Sequence, residues 1–143
     1  MIIKYPKASQ QRLTDHFGIL EFHCHCAYTT CTFTYIDTDL LLALEELRQI
    51  VGPLRVLSGF RCSAYNHAVG GKPGSYHMLG KAVDVSAKCK PSYLAFQAEG
   101  LSIFRSGGVG KYFSFVHLDN RGYKARWAKY VQDNPDDDSS AQG

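Results

Sequence analysis

The stretch Ser75-Tyr76-His77-Met78-Leu79-Gly80-Lys81-Ala82-Val83-Asp84 sets a histidine at the end of a glycine-rich loop and an aspartate seven residues later. Upstream, Gly70, Gly71, Pro73 and Gly74 exclude regular structure. Downstream, residues 80–86 (GKAVDVS) alternate as a strand does. In such a strand Ala82 and Asp84 face one side, and Val83 and Val85 the other. The valines can then pack in a core while Asp84 looks into a cleft, where the small Ala82 leaves room. A carboxylate in an apolar strand is costly to bury unless it is paired or bound to a metal.

A second stretch, Phe113-Ser114-Phe115-Val116-His117-Leu118-Asp119, belongs to an apolar, aromatic strand expected over residues 112–119. Alternation puts His117 and Asp119 on one face, together with Phe113 and Phe115. Gly107, Gly108 and Gly110 just before it read as a tight turn. If the two strands are neighbours, His77, Asp84 and His117 converge. Two imidazole nitrogens and one carboxylate suit Zn²⁺ and leave a fourth position for water, the pattern of a catalytic site.

Around these motifs the clearest element is a helix over residues 38–51, capped by Asp37 or Thr38. Its Leu40, Leu41, Leu44, Leu47 and Val51 form one apolar face, and Gly52-Pro53 stops it. Residues 8–16 read as a short first helix, and Thr32–Tyr35 as a short strand within an irregular segment. Leu54–Ser58 reads as a strand ended by Gly59, and Ser63 caps a short helix through Val69. Pro91–Glu99 reads as a helix, and Tyr123–Val131 as a last helix carrying Trp127. Helices and strands are mixed without regular alternation, so the expected class is α+β, a small antiparallel sheet with flanking helices. Residues 1–132 are expected to be one domain, and Asp133–Gly143 an acidic, disordered tail.

The 143 residues are enough for a domain that folds without disulfide or metal. No apolar run approaches the roughly 20 residues of a membrane span, and the N-terminus lacks the apolar core of a secretory signal. Net charge is +3, but residues 1–132 hold 16 basic against 9 acidic residues, a net of +7. A basic body suits an anionic partner. No Lys/Arg run interleaved with aromatics occurs, which argues against nucleic acid.

Of five cysteines, Cys24, Cys26 and Cys31 cluster beside His23 and His25. With Cys62 they leave three readings open: a second, soft metal site, a disulfide such as Cys31–Cys62, or reduced thiols. The spacing Cys-x-Cys-x₄-Cys does not match paired Cys-x₂-Cys knuckles.

The segment Ser75-x-His77-x-x-Gly80-x-Ala82-x-Asp84 resembles the signature of the zinc D-Ala-D-Ala carboxypeptidase family, which includes murein peptidases, phage endolysins and the related hedgehog domain. Ser58-Gly59-Phe60-Arg61 resembles its arginine-bearing segment, and Asn66 through Gly71 the loop that follows. Phe115-Val116-His117-Leu118-Asp119 is similar to the segment with the last ligand, and Glu21-Phe22 with its cysteines to the start of one branch of small members. The resemblance spans roughly residues 17–127. It implies a carboxypeptidase/hedgehog-like fold, one catalytic zinc held by His77, Asp84 and His117, and Arg61 for substrate binding or oxyanion stabilisation. Ser75 would position the substrate backbone or orient the loop.

The implied reaction is metal-assisted hydrolysis of a peptidoglycan stem-peptide bond, by a monomer that stays cytoplasmic until released, as in phage or prophage lysis. Some relatives place an acid three residues, or a histidine two residues, before the last ligand. Here Ser114 and Phe115 stand there and cannot act as a base. Asp119 is the nearest substitute, alternatively a partner of His117 or an ion pair with Arg121. His67 and Tyr112 are more remote candidates. Two other function classes follow: a zinc-binding recognition domain without catalysis, favoured by Ser114, and a thiol-metal or redox protein built on Cys24–Cys31.

Overall fold

The computed structural model describes residues 1–129. In chain order the elements are β1 (Ile2–Pro6), a 3-10 turn (Ile19–Phe22), β2 (Phe33–Asp37), α1 (Thr38–Val51), β3 (Arg55–Ser58) and α2 (Ser63–Ala68). A second 3-10 turn (Tyr76–Leu79), β4 (Ala82–Ser86), α3 (Pro91–Glu99), α4 (Ser102–Arg105), β5 (Gly108–Tyr112), β6 (Val116–Asp119) and β7 (Ala125–Lys129) complete it.

Five strands form one sheet in the order β3-β4-β6-β5-β7, antiparallel except for the parallel β5–β7 pair. A separate ribbon pairs β1 with β2. This is the expected α+β class. Val83 and Val85 of β4, Val116 and Leu118 of β6 and Val109 of β5 are buried in one core with Leu40, Leu44 and Leu47 of α1 and Leu94, Ala95 and Ala98 of α3. Removing such side chains from water contributes about 1.5–3 kcal/mol each for the larger ones. Packing of these apolar faces therefore holds the sheet against the helices, and the opposite face of β4 and β6 is left for polar groups.

Helix α1 starts where the Asp37 carboxylate accepts from Leu40 N. It ends at Gly52, whose φ of 86° lies in the region that favours glycine. Helix α3 keeps the expected bounds, with Pro91 where its missing N–H costs nothing.

Several expectations are corrected. Residues 8–16 are not helical. Thr14 Oγ1 accepts from Phe17 N, and the Arg12 guanidinium donates to the Asp15 carbonyl, so local side-chain bonds take the place of a helical ladder. Ser63 is the first helical residue of α2, and Cys62 occupies the cap position. The strand expected over 112–119 is two strands, β5 and β6, joined at Phe113–Phe115 in a hairpin where Tyr112 N donates to Phe115 O. The glycines read as a turn lie in or beside β5. Tyr123–Lys129 is not helical: Trp127 lies in β7, drawn into strand by pairing with β5. Tyr130 and Val131, like the tail Asp133–Gly143, lie outside the described residues.

Candidate metal centre

Strand β4 meets β6 with Asp84 directly opposite His117. His77 arrives from the turn preceding β4, which Ser75 caps. The Ser75 hydroxyl accepts from His77 N, and Ser75 is buried. Gly80 closes that turn at φ 75°, and a Cβ there would stand 2.6 Å from the Tyr35 carbonyl oxygen. One ligand atom from each of His77, Asp84 and His117 lies within 4.8 Å of the others.

The hydrogen bonds fix which atoms face inward. His77 Nδ1 lies 2.8 Å from the Gly59 carbonyl oxygen, which can only accept, so Nδ1 carries the proton. His77 Nε2 then presents a lone pair, fully buried and without a hydrogen-bond partner, 3.3 Å from Asp84 Oδ1. His117 Nε2 donates to Asp119 Oδ2 at 2.7 Å, and its Nδ1 lies 3.0 Å from the same Asp84 Oδ1. With both imidazoles neutral, two lone pairs and a carboxylate oxygen point at one another. A cation between them resolves that conflict. Zn–N and Zn–O bonds of about 2.0–2.1 Å at tetrahedral angles put ligand atoms about 3.3 Å apart, close to the 3.0 and 3.3 Å here. The donor set therefore fits zinc.

The electrostatics agree. Burial pushes the Asp84 carboxyl upward, but the two imidazoles beside it hold it far below the usual range. Burial pushes His77 down, and despite Asp84 it stays below its ordinary value, in the neutral form a metal needs. Burial also opposes the charged form of His117, but Asp119 and Asp84 outweigh it and raise its pKa. A proton and a metal thus compete for His117 Nδ1.

Around this centre stand two arginines. Arg61 is only 7% exposed and is not a surface ion pair. Its Nε donates to Ser58 Oγ at 3.1 Å, and its terminal nitrogens donate to Asn66 Oδ1 and Asp84 Oδ2, both at 3.3 Å. Arg121 grips Asp119 from the other side, with Nε 2.9 Å from Oδ1 and a terminal nitrogen 2.7 Å from Oδ2. Gly108 N and Arg121 N also donate to Oδ1. Asp119 is fully buried, and both its oxygens are engaged. Its carboxyl is held low by His117 and Arg121 against the upward push of burial.

The Arg121 guanidinium lies 4.7 Å from the Tyr76 ring centre and 5.1 Å from that of Trp127, whose ring is itself 5.2 Å from His117. The ion pair of Asp119 with Arg121 is one the sequence offered as an alternative, whereas the placing of Tyr76 and Trp127 beside it escapes sequence reasoning, since nothing in their local spacing marks them. Of the remote candidates, His67 is exposed on α2, and the Tyr112 hydroxyl accepts from Trp127 Nε1 at 3.0 Å. Ser114 sits exposed in the β5–β6 hairpin.

All five cysteines are free thiols. Cys24, Cys26, Cys31 and Cys62 gather in one cluster, and Cys89 lies apart from it.

Among the described residues no helix is long and apolar enough to cross a membrane. No curated protein matches the sequence. Residues 15–119, more than two thirds of the chain, match the Peptidase M15 family and include every residue of the His77–Asp84–His117 centre. On that match, and with an α+β fold consistent with it, the chain belongs to the Peptidase M15 family of zinc-dependent, D-Ala-D-Ala carboxypeptidase-like metallopeptidases.

Proposed function

We propose that the protein is a monomeric zinc peptidase that hydrolyses peptide bonds of bacterial peptidoglycan, as a D-Ala-D-Ala carboxypeptidase or murein endopeptidase, in the manner of a phage or prophage lysis protein acting on the wall after release from the cytoplasm. The observation that carries this reading is the buried, unpartnered His77 Nε2 aimed at Asp84 Oδ1, opposite His117. Family membership supports the reaction class. The net charge of +7 over residues 1–132 supports an anionic wall as the surface approached.

His77, Asp84 and His117 would hold zinc, which would supply a Lewis acid able to polarise a carbonyl and activate water at neutral pH. The chain's own groups prepare that chemistry. The Gly59 carbonyl fixes the His77 tautomer. Asp119, itself held by Arg121, accepts the His117 Nε2 proton and leaves Nδ1 free to bind metal. We assign Asp119 this positioning role in preference to that of general base, because its oxygens have no room for a further proton donor. Arg61 holds Asp84 and keeps a fixed positive charge beside the centre, suited to a substrate carboxylate or developing oxyanion. Ser75 orients the loop that delivers His77.

A second reading is a zinc-binding recognition domain for wall peptides without catalysis. The engagement of Asp119 together with Ser114 in the hairpin favours it, since neither residue can take a proton from water. Purified peptidoglycan treated with wild type and with His77→Ala separates the two, with zinc content measured on both. The expected result is release of new peptide termini by wild type, and loss of cleavage together with the zinc of the His77–Asp84–His117 centre in a variant that keeps its circular dichroism. Wild type that holds zinc yet leaves murein and synthetic stem peptides intact would install the recognition reading.

A further inference from the structure

Cys24, Cys26 and Cys31 lie in the segment 23–32, which has no helix or strand, and Cys62 caps α2 directly after Arg61. All four sulfurs lie within 4.8 Å of one another. Cys62 Sγ is 3.8 Å from Cys24 Sγ and 3.8 Å from Cys26 Sγ. A tetrahedral zinc with Zn–S bonds of about 2.3 Å has sulfurs about 3.8 Å apart. A disulfide would instead bring two sulfurs to about 2.05 Å and release the other pair. Four thiols gathered within 4.8 Å of one another are what one ion requires.

The surroundings suit thiolates. Cys62 N points at Cys24 Sγ, 3.4 Å away. The Lys7 ammonium lies 3.1 Å from Cys26 Sγ and 3.0 Å from the Cys26 carbonyl oxygen. Four thiolates around Zn²⁺ leave a net charge of −2, which Lys7 partly offsets. His23 and His25 stay outside: His23 Nδ1 bonds the Leu20 carbonyl, and the two rings pack on each other 4.9 Å apart. The set is thus all sulfur, which selects zinc or iron. A span of 4.8 Å fits one ion and leaves no space for bridging sulfides.

We propose that Cys24, Cys26, Cys31 and Cys62 bind a single zinc ion as a closed tetrathiolate, releasing their four protons, independently of the His77–Asp84–His117 centre. Four protein ligands leave no position for substrate, so this ion is structural. It ties the segment 23–32 to the Gly59–Cys62 segment. Phe60 N already donates to Phe22 O there, and Gly59 O and Arg61 reach the other centre.

Metal analysis of the full chain, purified under reductant and freed of loose metal, tests this. Wild type should carry two zinc ions, one for each group of ligands. Cys26→Ser and Cys31→Ser should each keep one, His77→Ala should keep one, and Cys89→Ser should keep both. Cobalt loading of the unmodified protein gives a readout that no folding defect can mimic. An intense thiolate-to-cobalt charge-transfer band is expected in wild type and His77→Ala, and its loss in Cys26→Ser. Wild type without that band overturns the proposal, as does iron in place of zinc, or a mass showing native disulfides among these cysteines. Cysteine variants that keep both zinc ions overturn it as well.

Discussion

Asp84 and His117 sit on the central strands of a five-stranded sheet, with His77 on the turn that leads into one of them, whereas Cys24, Cys26, Cys31 and Cys62 hang on two segments with little regular structure between them. In the first group the backbone is fixed before any ion arrives. Val83, Val85, Val116 and Leu118 fill the core side of the same two strands, and the ligands take the other. In the second, residues 23–32 have no helix or strand of their own and are joined to the rest by the sulfurs and by Lys7, whose N donates to Thr32 O and whose ammonium donates to Cys26 O. Cys24 is buried, while Cys26, Cys31 and Cys62 are half-buried. One centre is therefore held by the fold. The other, once metal-bound, is closed and holds the fold. The Gly59–Cys62 segment touches both, through Gly59 O and Arg61 on one side and Cys62 on the other.

That shared segment is the place to break the comparison. A Cβ on Gly59 would lie 2.7 Å from Phe22 Cα and 2.9 Å from its carbonyl oxygen, both backbone atoms. Gly59→Ala should displace the segment, lower stability by about 1–3 kcal/mol and weaken zinc retention at both groups together. Thermal unfolding with metal analysis reads this, and loss at only one group would show the two to be uncoupled. Asp119→Asn is expected to act on one side alone. It should lower zinc affinity at the sheet centre about 10–100-fold and leave the thiol cluster unchanged, as measured by competition with a chromophoric chelator.

The smallest effect belongs to a pair remote from both groups. His16 Nδ1 lies 2.6 Å from Glu45 Oε2, and His16 N donates to Oε1. Burial nudges the Glu45 carboxyl up, but the bonds to His16 hold it below its ordinary 4.5. A depressed folded pKa means that the stabilisation is present above about pH 4.5 and fades as pH falls through the folded value. Glu45→Gln should cost at most about 1 kcal/mol at neutral pH, flatten the acid limb of the stability curve and leave zinc content intact.

The parts of the fold that alternate or repeat were legible in the sequence. Helix α1 announces itself by its leucines, and β4 by Val83 and Val85 around Asp84. Strand β5 was hidden because its glycines look like a turn, yet they are there to make room. A Cβ on Gly108 would stand 2.2 Å from Asp119 Oδ2, and one on Gly110 would stand 2.2 Å from Trp127 Nε1. Small residues opposite a buried carboxylate and an indole leave no local pattern. Strand β7 was missed because pairing with β5, not its own sequence, sets its conformation. In the site, Asp84 and His117 were readable because strand alternation projects each onto the face away from the valines, and His77 because it stands at the end of a glycine-rich loop seven residues before Asp84. The fourth cysteine of the cluster was foreseeable only as a candidate, since the contact between the Phe22 and Phe60 backbones that delivers it is tertiary.

The facing of Asp84 and His117 across β4 and β6 also sets a sequence of events in time. The two residues are 33 apart along the chain, and a slip of one residue in register would turn His117 to the far face. A chain emerging from the ribosome has no complete ligand set until β6 has appeared and zipped correctly onto β4. At the proposed zinc site, uptake would thus be a late step that only correctly paired chains can complete, and an ion captured there would act as a rivet between the two central strands and slow their separation.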